Sequence, residues 1–172
     1  MDQLFFHPKV VHVPMALAVL MPLVATGTLF AVWRGWLPSR SWVVVFLLQA
    51  VLLGSGIAAL KTGETEEDRV EQVLAERHIE SHEEAAEAFV WAGGALLVLM
   101  AFPLVLSDGR VRQAILLGAW VGTILVFGLG YRTGESGGRL VYEHGAARAY
   151  AGGSGSVDVA PPASHEDDSD DD

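Results

Sequence analysis

The chain contains no cysteine. That absence removes disulfides, thiolate zinc or copper sites, Cys-ligated iron–sulfur clusters and haem attached through C-x-x-C-H. Imidazole and carboxylate are the strong metal ligands that remain. Positive charge is also scarce: 11 Lys and Arg stand against 21 Asp and Glu, a formal net charge of −10. Such a balance offers no basic footprint for nucleic-acid phosphates. No nucleophile, base and orienting group occur together at a catalytic spacing, so the sequence reads as a binding or electron-transfer protein rather than an enzyme with its own substrate. Gly137-Gly138 superficially resembles a phosphate loop, but the Lys-Ser/Thr that must follow is missing.

Apolar residues are what the chain has in quantity. It is 51% hydrophobic, with a mean hydropathy of +0.36 despite 19% charged residues. Both hold because the two classes are segregated. Val10–Trp33, Trp42–Leu60, Ala85–Leu106 and Val111–Tyr131 are continuous apolar runs, each near the ~20 residues that carry a helix across hydrocarbon. Barrel strands alternate in polarity and these runs do not. The sequence therefore predicts an all-α transmembrane four-helix bundle over residues 1–150, followed by an acidic tail over 151–172. The first run is longer than the apolar core of a cleaved signal peptide and reads as a span.

Four spans place both termini on one side of the membrane. The two turns on the other side carry Arg34, Arg40, Arg110 and Arg112 against a single acid, Asp108. Short loops rich in Arg mark the cytoplasmic side. The expectation is a multi-pass inner- or plasma-membrane protein with both termini on the periplasmic or exterior face. All six histidines fall on that exterior side: His7 and His12, His78 and His82, His144, and His165 in the tail. Ionisable groups beside hydrocarbon are costly enough to mark candidate functional sites.

Between spans two and three, Thr65-Glu66-Glu67-Asp68 has the composition of a helix start. Val70, Val73 and Leu74 share one face of Glu66–Arg77, which predicts a short amphipathic helix lying at the interface. Ser81-His82-Glu83-Glu84 fits a capping box and predicts that span three begins at His82. His78 and His82 then belong to different helices; a helix that runs through makes them i and i+4 neighbours. A helix opened by Pro8 places His12 about one turn in. From His82, helical spacing leads to Ala86, Phe89, Gly93 and Leu97, an inward face. Gly54-Ser55-Gly56 in span two, and Gly118, Gly122, Gly128 and Gly130 in span four, supply small residues for close helix approach. Residues 132–145 read as a Gly-rich connection after span four. From Gly152 the composition is Gly/Ser-rich and then acidic, which predicts disorder.

His7-Pro8-x-x-Val11-His12-x-Pro14, His82 ahead of span three, and Gly137-Gly138-x-Leu140-Val141-Tyr142-x-His144-Gly145 after span four form a recognisable set. With these motifs the chain, over roughly residues 4–150, resembles the bacterial four-span membrane proteins of domain of unknown function 2231. The resemblance implies a small membrane cytochrome that binds b-type haem. The acidic stretch Glu64–Glu80 and the tail depart from that pattern, so the resemblance assigns nothing to His78.

Independently of the resemblance, bundle cores are a common place for cofactor sites built from side chains on facing helices, and imidazole is an axial ligand of haem iron. One haem needs two imidazoles, and His12 with His82 is the first choice. A second haem would take His7 and His144. Arg132, Arg139 and Lys9 lie where they can pair with propionates or with lipid headgroups. The partners implied are the lipid bilayer and a redox protein on the exterior face. Two other readings stay open. One is a periplasm-facing zinc or copper site, from three imidazoles or two plus Glu83 or Glu87. The other is a cofactor-free subunit of a respiratory or transport complex.

Overall fold

The structure, a computed structural model, describes residues 10–70 and 76–143, with side chains over 10–65 and 79–143. Within these residues the chain is helical and has no strand. Its helices are α1 (His12–Trp33), α2 (Trp42–Val70), α3 (Glu76–Val105) and α4 (Arg110–Tyr142), with a 3₁₀ turn at Ser39–Ser41 leading into α2. They form the expected four-helix bundle. Each helix packs against its two neighbours in chain order, and α4 closes the ring on α1.

All four helices are long and apolar enough to cross a membrane, yet only 17–28% of the 18 most apolar consecutive residues of each is buried. The rest of that apolar surface points outward, as at Leu23 (68% exposed), Val98 (62%) and Leu125 (64%). Water would not tolerate so large an apolar exterior, whereas hydrocarbon does. This is the fold of a multi-pass membrane protein.

The interior is a single core. It combines Met21, Ala18 and Ala25 of α1 with Trp42, Val45 and Leu52 of α2, Phe89, Leu96 and Met100 of α3, and Leu116, Ala119 and Val126 of α4. The inward face read from His82 holds, with Phe89 and Gly93 buried. The Phe89 ring sits between two glycines: a Cβ on Gly56 would meet its Cε1 at 3.3 Å, and one on Gly130 would meet its Cε2 at 3.1 Å. Gly54 and Gly128, in contrast, face open space.

Three of the expected boundaries differ. Helices α2, α3 and α4 have 29, 30 and 33 residues, about 45–50 Å of helix against a hydrocarbon core of about 30 Å. At the Arg-rich end they are tied level: the Trp42 indole donates to the Met100 carbonyl at 3.2 Å, and Arg112 reaches across both turns. The excess length therefore projects from the histidine end.

Helix α2 continues to Val70 and α3 begins at Glu76, so the described parts of Glu66–Arg77 are the ends of two long helices rather than a separate interfacial helix. Val73 and Leu74 lie outside the described residues. Ser81–Glu84 sits inside α3 and starts nothing, so His78 and His82 share one helix at i and i+4. Residues 132–142 form the last turns of α4 rather than a connection. The physical reason is tertiary: α3 and α4 extend because they pack on each other above the span, and packing overrides local helix signals. The tail over 151–172 lies outside the described residues.

Candidate functional site at the histidine end

His82 is half-buried on α3, one turn before Ala85 enters the core. Its Nδ1 lies 2.8 Å from the Ser136 Oγ on α4. Ser136 sits on the part of α4 that the sequence predicted as a connection. Its hydroxyl donates its single proton to the Thr133 carbonyl at 2.9 Å. With that proton on the Thr133 carbonyl, Nδ1 is the side of the ring that would donate to Ser136. One turn below, the Thr133 hydroxyl contacts the Ala85 carbonyl of α3 at 2.9 Å and its own Leu129 carbonyl at 3.0 Å. Two side-chain bridges thus tie α3 to α4 above the span.

The imidazole lies on α4 backbone. A Cβ on Gly137 would meet its Cε1 at 3.0 Å and its two nitrogens at 3.5 and 3.6 Å, whereas Gly138 has nothing within 4 Å. Glycine in a helix interior costs about 1 kcal/mol relative to alanine. At Gly137 that cost accompanies a space the imidazole occupies.

His12 opens α1 and is exposed, while Pro8, from which the sequence predicts the helix start, lies outside the described residues. The level of His12 follows from the interlock of α1 with α4. Ala18 packs at Gly130, and Met15 at Gly134, where a Cβ would lie 2.5 Å from the methionine methyl. The helices are antiparallel, so one turn further brings His12 opposite Gly137-Gly138. His12 and His82 therefore stand at the same height, on helices α1 and α3 that flank α4 from either side.

Arg132, Ser136 and Arg139 are spaced i, i+4 and i+7, a single stripe of α4. Ser136, whose hydroxyl holds His82, thus lies between two arginines on that stripe. Both arginines are exposed, and Arg139 donates to the Glu135 carboxylate at 2.7 Å. An exposed pair of this kind contributes under about 1 kcal/mol and is readily exchanged. His7, Lys9, His144 and His165 lie outside the described residues, as does the side chain of His78. Among the described residues no three His, Asp or Glu side chains converge on a point. The three-ligand alternative with Glu83 or Glu87 has no assembled site there.

Sequence reasoning did not single out Ser136 or Thr133, and it took Gly137 as part of a motif and a connection rather than as the seat of an imidazole. The signal for Ser136 was its helical spacing from Arg132 and Arg139, hidden by the glycines around it. Compared with protein families, with characterised proteins and with solved structures, the chain matches none. The resemblance described above therefore stands on the residues quoted for it. Chemically, the arrangement offers an imidazole held by a hydroxyl, a second imidazole at the same height on the other side of α4, and two arginines alongside.

Proposed function

We propose that this protein is an integral membrane haem b carrier that passes electrons at the exterior face of the plasma or inner membrane. The observation that carries the reading is the hydrogen bond between His82 Nδ1 and the Ser136 hydroxyl. Metal-ligating histidines almost always donate their other ring N–H, which fixes the tautomer and aims Nε2. His12 and His82 would hold one haem, His7 and His144, which lie outside the described residues, a second, and Arg132 and Arg139 its propionates. When bound, the haem supplies reversible one-electron chemistry. The protein's own part is to hold the imidazole against Gly137 and to orient it through Ser136. The orientation rests on the Arg-rich turns lying in the cytoplasm, which puts the histidine end toward an exterior redox partner.

An absorption spectrum of the detergent-purified protein tests the reading. Reduction should produce a sharpened Soret band and an α band of low-spin haem b, and His82→Ala should remove them. A haem-free preparation that takes up no added haemin would overturn the proposal.

A further inference from the structure

The opposite end of the bundle carries a second feature that the haem reading does not use. An open cleft of about 730 Å³ lies between the turn preceding α2 and the junction of α3 with α4. We propose that it binds the phosphate headgroup of an anionic phospholipid. This proposal depends on the membrane fold and is independent of any haem.

Three observations converge. The first is a gradient of polarity along the membrane normal. Ser39 and Arg40 line the cleft at the membrane surface, ahead of α2. Val43 and Val44, in the first turn of α2, and Leu104, in the last turn of α3, line it on the hydrocarbon side and are exposed. A polar end above an apolar wall is the shape of an amphiphile rather than of a soluble anion.

The second is Arg112, whose side chain is only 8% exposed and is held rigidly. Its Nε donates to the Pro103 carbonyl at 3.0 Å, and its two terminal nitrogens donate to Asp108 at 3.0 Å and to the Ser39 carbonyl at 3.1 Å. A guanidinium has five N–H groups, so these three bonds leave donors in the wall of the cleft. Arg40 adds a second guanidinium, which makes no ion pair among the described residues. The Asp108 carboxylate is the opposing charge, and it already accepts from Arg112, so the cleft keeps a positive balance. The third observation is depth. Trp33 and Trp36 are exposed at this same end, with the Arg34 guanidinium 5.7 Å from the Trp36 ring. That is the aromatic and cationic composition of a headgroup layer, and basic pockets at helix ends in that layer recognise lipid phosphates.

Native mass spectrometry of the full chain, released from mild detergent with phosphatidylglycerol or phosphatidylcholine added, provides the test. The wild type should retain one phosphatidylglycerol in preference to phosphatidylcholine. Arg40→Ala should weaken that retention about fivefold, the effect of one arginine at a lipid surface. Arg34→Ala removes the same charge from the same end but outside the cleft, and it should weaken retention distinctly less than Arg40→Ala does. Sodium phosphate at the lipid's concentration should not displace the lipid, because it lacks the chains that contact Val43 and Leu104. Equal losses in the two variants would reduce the effect to general surface charge. Indifference to headgroup, or displacement by free phosphate, would equally overturn the proposal.

Discussion

His82 and Ser136 are 54 positions apart in sequence, and their side chains meet at 2.8 Å where α3 and α4 rise together above the span. With the serine proton on the Thr133 carbonyl, the neutral imidazole presents its Nδ1–H to Ser136. If haem iron is bound through Nε2, Ser136 acts through His82 and is a positioning residue. Ser136→Ala should lower haem affinity about tenfold, the low end for loss of a partner behind a ligating histidine. The low-spin spectrum should be retained, because the ligand itself remains. His82→Ala and His12→Ala should each abolish that spectrum, whereas His165→Ala should not. Haemin titration of the purified variants separates these outcomes, and an unchanged affinity in Ser136→Ala would remove the hydrogen bond from the argument.

Two adjacent glycines should behave in opposite ways. Gly138 faces open space, so Gly138→Ala should stabilise the protein by up to about 1 kcal/mol through helix propensity alone. At Gly137 the new methyl would come within 3.0 Å of an imidazole that Ser136 holds in place. Gly137→Ala should therefore lose most of that propensity gain and weaken haem binding. Thermal unfolding and haem titration on the same two variants check both halves. Identical behaviour of the pair would mean that the imidazole moves away at no cost.

The bundle was legible in the sequence because its signal is composition: continuous apolar runs leave helices as the structure that crosses hydrocarbon. The helix ends above the span were not, and the reasons are local. Ser81-x-x-Glu84 is a genuine start signal, but α3 runs through it from Glu76 while it packs on α4. Gly134, Gly137 and Gly138 read as a connection because glycine weakens helices, yet two of them make room for Met15 and His82. The candidate site was therefore half legible. Residue type picked out His12 and His82, but the serine and glycine that position His82 lay in a stretch read as irregular. Arg112 was counted only as a charge, although it is the best-anchored side chain at its end of the molecule.

Arg112 also yields a stability prediction. It makes three charge-assisted hydrogen bonds from a buried position, two of them to carbonyls of separate turns. Arg112→Ala should cost about 3 kcal/mol in unfolding free energy, since both carbonyls lose a buried donor. The Asp108 carboxylate is 80% exposed, so Asp108→Asn should cost under about 1 kcal/mol. Thermal unfolding in detergent compares the two. Equal costs would mean that the ion pair, rather than the carbonyl contacts, holds the turns together.

Topology can be checked without the cofactor. Reporter fusions at Ser107 should report the cytoplasm, and fusions after Asp172 should report the exterior, following the arginines of the two short turns. The reverse result would place the histidine end in the cytoplasm, with a different set of redox partners.

Gln49 gives a prediction about the core itself. It lies on α2 with no exposed surface, and its Nε2 donates to the Gly93 carbonyl at 3.1 Å. Its Oε1 is buried with no hydrogen-bond partner among the described residues. A buried acceptor without a partner costs about 1–3 kcal/mol, whereas a side-chain hydrogen bond between membrane helices contributes about 0.6 kcal/mol. The penalty outweighs the bond. Gln49→Met keeps the length of the side chain, removes both polar atoms and should therefore raise stability by about 1 kcal/mol. Gln49→Ala removes the same polar atoms but leaves a void beside Leu52 and Leu53, and it should be destabilising. Thermal unfolding of the full chain in one detergent distinguishes the two effects. A loss of stability in Gln49→Met would show that Oε1 has a partner in the folded protein, for which a buried water is the chemically natural candidate.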